Sequence, residues 1–349
     1  MSISVSTTDQ RQWTVSRPTA KVMVVVAVVA IALWQHKALA SGAARLGTVS
    51  PSYVAAALLA ELVSFVALAE VQRRLLQAGN APVDRRSLVA IDLASGAIGA
   101  TVPVGFAFST AYTYRQFTRR GAQPAVAVWV LTVAGALCVA ALAVVGTVGA
   151  QVSGRGVLSS PLGTFVGASF AITAVAILGA LIWVSGSTRR LESAARVVGG
   201  VQASVSRVLR RPRPDAARDD GGLFALDRPD GVSLGLRDWT GLFVLAEVNW
   251  LADIAALALA LAAVGAGVPW GGLVFAYALS QVASSIPLLP GSVGVAEGSL
   301  ALALVGAGVR PADAIAAVLT YRLITFWVLL PVGWALWARL RRAPVRAPA

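Results

Sequence analysis

Two ionisable side chains near the C-terminus stand where so apolar a chain should hold none. Glu297 lies in SIPLLPGSVGVAEGSLALALVGAG, Ser285 to Gly308, a hydrophobic run broken by Pro287, Pro290 and four glycines before Gly308. Arg322 lies in LTYRLITFW, 11 residues after Pro311, about 16 Å along a helix and so near mid-membrane. Intramembrane charges cost roughly 2.5–3.5 kcal/mol each on insertion scales, so such residues are functional candidates by default. A guanidinium can bind an anion such as a lipid phosphate through two parallel hydrogen bonds. The half-helix that starts after the turn Pro290–Gly294 would aim its free N–H groups at the same anion, and its dipole favours an acid at Glu297. Alternatively, Glu297 and Arg322 pair and pin this segment to the last helix. Both hold if the pair opens on binding.

A second set of polar residues lies in other apolar segments: Glu61, Glu247, Asn249 and Asp253, with Asp92 further along the first half and Glu70 at a segment end, where it is expected to reach water. Asn249 and Asp253 are four apart and share a helical face; Glu247 points about 160° away from Asn249. Uncompensated carboxylates suit proton or cation coupling, and they suit hydrogen bonding between helices equally well. Other chemistry finds little support. G-x-S-x-G, H-E-x-x-H and an acid pair at catalytic spacing are missing. The one histidine, His36, sits at the end of the first apolar segment, and the one cysteine, Cys138, excludes an internal disulfide. No metal centre, no cofactor and no enzymatic activity are expected.

The elements that must position these residues are membrane helices. The chain is 57% hydrophobic and 13% charged, with mean hydropathy +0.75, against about 25% charged residues in soluble domains. The net charge of +13 reads as membrane-flank charge, and no nucleic-acid partner is expected. Apolar segments run roughly over 19–40, 51–71, 88–108, 124–150, 161–184, 239–264, 271–292, 294–309 and 311–338. If 88–122 and 271–309 each enter and leave on one side, 24 basic residues fall on one face and Lys37, Arg45, Arg155 and Arg310 on the other. That imbalance places both termini in the cytoplasm, with six full crossings and two broken re-entrant hairpins in the plasma (inner) membrane. Lys21, the apolar run 22–34 and ALA at 38–40 also fit a cleaved signal peptide, which would leave the remaining topology unchanged.

Proline spacing suggests a duplication. Pro103 and Pro124 are 21 apart, as are Pro290 and Pro311, and at the same offset of 187 Gly121 matches Gly308. Glu61 and Glu247 correspond within one residue of it. Under the topology above the two halves have opposite orientation, the pattern of transporters with midplane sites at broken helices. Backbone breaks at that depth need protein or water to satisfy the freed groups. The expected organisation is an N-terminal membrane half, 1–184, with its repeat over 51–150; a cytoplasmic segment, 185–238; and a C-terminal membrane half, 239–349, with its repeat over 239–338 and a basic tail. Within 185–238, Leu191, Ala195, Val198, Val201, Val205 and Val208 form one stripe among arginines. They suit an amphipathic helix on the anionic cytoplasmic leaflet; a solvated charge run is the alternative.

The stretch LPGSVGVAEGSLALALVGAGVRPADAIAAVLTYRLITFW resembles the C-terminal part of the transmembrane domain of lysylphosphatidylglycerol synthases. The matching positions are Pro290, Gly291, Gly294, Glu297, Tyr321 and Arg322. Arg73, Arg74, Pro103, Gly105 and the basic run to Gly121 look similar to the first half of that domain. The first Pro-Gly turn departs from the pattern, since PVGFAFSTAYTYR lacks the acid often found there. The aminoacyl-transferase domain of the bifunctional synthases is expected to be missing, because 11 residues follow Ala338. The resemblance therefore implies flipping of a phospholipid or polyprenyl-linked lipid rather than lipid lysylation. It implies substrate binding by the six matching positions; Glu61, Glu247, Asn249 and Asp253 are ion-coupling candidates on their residue types alone. A non-catalytic scaffold for a cell-envelope lipid synthase or glycosyltransferase is the alternative.

Overall fold

A computed structural model describes residues 49–102, 105–153, 161–185, 234–285 and 294–342. The expected first span with its signal-peptide alternative, Pro103, most of the basic segment 185–238, and Pro290 and Gly291 lie outside these residues. All regular structure among them is helical: α1 (Pro51–Ala78), α2 (Arg85–Thr101), α3 (Gly105–Arg119), α4 (Pro124–Val152), α5 (Pro161–Ser185), α6 (Leu236–Ala263), α7 (Trp270–Ser284), α8 (Val295–Gly306), α9 (Pro311–Arg322), a π-helical turn (Leu323–Trp327) and α10 (Leu329–Arg342). The protein is an all-α polytopic membrane protein. Helices α1, α4, α6 and the composite Pro311–Arg342 are long and apolar enough to cross a bilayer, and α5 is a further, mostly apolar helix of 25 residues. The limbs α2, α3, α7 and α8 have 17, 15, 15 and 12 residues. At about 1.5 Å per residue none reaches across roughly 30 Å of hydrocarbon. They form two broken hairpins, α2–α3 and α7–α8.

Local chemistry sets the helix ends. Prolines at the first position open α1, α4 and α9, where the missing N–H would be unpaired anyway. Asp84 opens α2 by accepting the Ser87 N–H at 2.9 Å. Left-handed residues close the helices in two matched pairs. Asn80 (φ 57°) follows α1 and Gly265 (φ 73°) follows α6; Gly121 (φ 92°) follows α3 and Gly308 (φ 94°) follows α8. After each, the chain donates back to the helix in the same way: Ala81 to Leu76 and Ala266 to Leu261, Ala122 to Phe117 and Val309 to Leu304. These closures repeat at offsets of 185 and 187.

Packing obeys the same internal symmetry. The most extensive contact joins α1 to α6. The two 28-residue helices run antiparallel, since Ser50 meets Ala263, Ser64 bonds Asn249 and Arg74 lies on Gly241. Ser64 and Asn249 fall at the two midpoints, so a pseudo-two-fold axis crosses there. On one side of it α2 packs on α10, and on the other α7 packs on α4. Each contact closes on a glycine, because a Cβ at Gly333 would strike the Leu93 carbonyl and one at Gly149 would strike the Phe275 backbone. Close helix approach through small residues suits a lipid environment, where the hydrophobic effect gives helices little reason to associate. Outward side chains such as Leu59, Leu62, Phe165, Ile172 and Val175 remain exposed, as lipid-facing positions should.

Glu70 corrects the expectation that it reaches water. It is 7% exposed and accepts from Arg73 at 2.7 and 2.8 Å, Arg74 at 3.2 Å and Arg85 at 3.1 Å. Three guanidiniums from α1 and the start of α2 enclose the carboxylate and replace its water.

Gly149→Ala and Gly333→Ala should each destabilise by about 1–3 kcal/mol, because the added methyl meets backbone. Gly135→Ala should not, since a Cβ there meets nothing within 4 Å; thermal unfolding in detergent separates the three. At Asp84, burial pushes the carboxyl up, but the Ser87 hydrogen bonds and the Arg120 charge outweigh it and hold the group below its usual range. Its contribution is present above the ordinary aspartate value and is lost as pH falls through the lower folded value. Asp84→Ala should therefore cost about 1 kcal/mol near neutrality, and the difference from the parent should shrink below about pH 4, read by unfolding across pH.

Candidate functional site

Gly294 takes a left-handed backbone (φ 88°) at the return of the second hairpin and leads directly into α8. Only glycine adopts that conformation without strain. Glu297, in the first turn, then reaches back and accepts the Gly294 N–H at 2.5 Å through one oxygen. Its other oxygen accepts Nε of Arg322 at 2.9 Å, and both side chains are only 16% exposed. The carboxylate thus satisfies one free donor of the helix terminus and one charged donor from the last helix together. The Glu297–Arg322 pair exists, and it ties α8 to α9.

Arg322 is the last residue of α9, immediately before the π turn Leu323–Trp327. Single π turns inside α-helices frequently mark functional sites. Here the wider turn accompanies Phe326 beneath the guanidinium, 5.2 Å from carbon to ring centroid. Nε is on Glu297 and one face is on Phe326, while Nη2 is buried without a hydrogen-bond partner among the described residues. Beside it lies a cavity of about 120 Å³, lined by Ser280, Gln281 and Ser284 of α7, Ala296 and Leu300 of α8, and Tyr321 and Arg322 of α9. A guanidinium edge and several hydroxyl and amide groups face a space of limited size, an arrangement that suits an oxyanion.

Behind the cavity stands Asp253 of α6. Its two oxygens accept the hydroxyls of Tyr321 at 2.6 Å and Tyr277 at 2.5 Å. Gln281 in turn donates to the Tyr277 hydroxyl at 3.1 Å, and Trp250 meets the Tyr277 ring edge-on at 6.1 Å. The Glu61 carboxyl of α1 lies in hydrogen-bonding contact with Asp253, and its Oε2 has no partner among the described residues.

The structure therefore sorts the candidates. Arg322 and Tyr321 line one cavity, Glu297 and Gly294 are linked to Arg322 beside it, and Asp253 stands behind Tyr321 with Glu61 next to it. Asn249 instead accepts the Ser64 hydroxyl at 3.1 Å, and Glu247 stays outside this cluster with a buried, unpartnered Oε1 among the described residues. Asp92 is on the first hairpin, where Gln72 donates to it at 2.8 Å. Tyr277, Ser280, Gln281 and Ser284 escaped the sequence reasoning. Their signal was a polar stripe at helical spacing along an otherwise apolar limb. Among the described residues no group of three or more His, Cys, Asp or Glu could hold a metal ion.

The pair should show thermodynamic coupling. Glu297→Gln leaves a partly buried guanidinium without its acid, and Arg322→Gln leaves the reverse. A double-mutant cycle on thermal stability should give a coupling energy of about 1–3 kcal/mol, with the double variant better than the sum of the singles. A value near zero would mean that the pair does not pin the hairpin.

A family model described as the lysylphosphatidylglycerol synthase TM region matches residues 19–333, so the chain belongs to that family. None of the curated proteins matches it.

Proposed function

Starting from membership of the lysylphosphatidylglycerol synthase TM-region family, we propose that the chain is a lipid transporter. It moves a lipid with a phosphate-bearing headgroup, an anionic phospholipid or a polyprenyl-linked lipid, between leaflets, and it is not an enzyme. The supporting observation is Arg322: a guanidinium at the junction of α9 and the π turn, whose buried Nη2 has no partner among the described residues, facing a cavity beside the second hairpin. A water takes up about 30 Å³, so about 120 Å³ accommodates a phosphate group and leaves acyl or prenyl chains in the bilayer. Before a headgroup arrives, Glu297 neutralises Arg322. An arriving phosphate offers a bidentate partner to the guanidinium and competes with Glu297, whose second hydrogen bond, to Gly294, holds it in place. Releasing the pair frees α8 from α9, and the inverted repeat supplies two equivalent arrangements between which the hairpin can alternate. The excess of basic residues on one face supports cytoplasmic termini and a plasma (inner) membrane location.

The test is transbilayer movement of tail-labelled phosphatidylglycerol and polyprenyl phosphate in liposomes holding the purified full chain. Arg322→Ala should slow movement at least tenfold in a protein that still elutes as a folded species, and Arg322→Lys should recover only part of it, since a lysine cannot make the paired contact. Absence of movement with folded wild-type protein would reject the transporter and favour a scaffold partnering a cell-envelope lipid synthase or glycosyltransferase.

A further inference from the structure

The antiparallel register of α1 on α6, with Ser50 on Ala263 and Ser64 on Asn249, sets the buried Glu61 opposite Asp253, close to the pseudo-two-fold axis, and brings the two carboxyls into contact. Both oxygens of Asp253 already accept tyrosine hydroxyls. Two carboxylates in contact in a low-dielectric interior do not both remain ionised, so a proton lies between them. A metal cation fits poorly, because the tyrosine hydroxyls direct their hydrogens at the oxygens that would have to ligate it. The pair also touches the transport cavity, since Tyr321 lines that cavity and donates to Asp253, and Gln281 lines it and donates to Tyr277.

The other charged and titratable groups facing the pair are Tyr277 of α7 and Tyr321 and Arg322 of α9. Glu297 of α8 is held on Arg322, Asp92 of α2 is engaged by Gln72, and α4 meets Trp250 through the backbone carbonyl of Cys138, which accepts the Trp250 Nε1–H. With one proton on the pair, the empty cluster has Arg322 as its cation against Glu297 and one charge on the pair. A phosphate-bearing lipid adds another negative charge in the same low-dielectric region. A second proton on the pair cancels that addition, so lipid binding and proton binding favour each other, and by linkage the preference is reciprocal.

We propose that Glu61 and Asp253 form a proton-coupling site, and that one proton travels with each anionic headgroup in the same direction. This deepens the transporter reading and rests on it. The proton passes from water to a carboxyl oxygen of the pair and returns to water on the other side, with no covalent change elsewhere. Glu247 and Asn249 take no part, because neither belongs to the cluster.

The experiment uses the full chain in liposomes with a trapped pH dye and tail-labelled phosphatidylglycerol or polyprenyl phosphate. Wild-type protein should acidify the compartment that receives the lipid. A one-unit pH gradient in the direction of lipid movement should speed it several-fold over no gradient, and replacing sodium by potassium should change nothing. In Glu61→Gln, which keeps a hydrogen-bonding partner for Asp253 but cannot titrate, the ratio of rates with and without the gradient should fall to about one. Lipid movement by wild type without dye response or gradient dependence would overturn the coupling and spare the transporter. A sodium requirement would replace the proton by a cation and overturn it likewise. No lipid movement by folded wild type would reject the transporter, and the coupling with it.

Discussion

Asp253 is a carboxylate in the middle of a membrane helix, and the low dielectric around it makes any unsatisfied lone pair expensive. Its partners meet that constraint from two directions, Tyr277 from the first limb of the second hairpin and Tyr321 from the last helix. One residue of α6 thereby fixes the relative positions of α6, α7 and α9. Those positions in turn place Arg322 beside Glu297 and open the cavity between α7, α8 and α9. The hydroxyls serve Asp253 while their rings pack against apolar neighbours; Tyr277 is fully buried.

The scaffold is symmetric and its chemistry is not. The starts of α1 and α6, α2 and α7, and α4 and α9, like the left-handed closures, recur at offsets of 185 to 187, and the close-contact glycines Gly149 and Gly333 are 184 apart. Yet the position matching Arg322 in the first repeat is Gly135, exposed and with open space where a side chain would begin. The segment matching Glu297, Ala107 to Thr110, holds no acid, and Asp92 stands where the second repeat has Tyr277. The first hairpin instead ties its limbs with the Thr113–Ser95 hydroxyl bond at 3.0 Å. Duplication supplied two equivalent hairpins, and substitution placed the Arg–Glu pair in one. That asymmetry puts the buried Arg–Glu pair on the second-hairpin side alone.

Much of this architecture was legible because membrane folds write their constraints locally. Hydropathy over 20 residues marks a span, and a proline with flanking glycines marks a break. So the sequence by itself determined an all-α polytopic protein with apolar segments broken by Pro and Gly, and it singled out Arg322 and Glu297 because a charge in hydrocarbon is conspicuous in any window of residues. The Pro and Gly spacings disclosed the duplication for the same reason, since they report backbone conformation that must recur wherever the same turn recurs.

Tertiary structure decided which polar residues work together. Glu61, Glu247, Asn249 and Asp253 look alike in the sequence, each one polar group in an apolar helix. The crossing of α1 on α6 separates them: Glu61 meets Asp253, Asn249 meets Ser64, and Glu247 joins neither. Glu70 has Arg73 and Arg74 on its own helix, but it gained Arg85 only once α2 folded back beside α1. Tyr277 and Gln281 entered the site through pairings with Asp253, 24 residues away, and with one another. The physical reason is common to all of them. Helical periodicity states which face a side chain is on, but the partner on the facing helix depends on where two distant helices cross, and no local signal encodes that.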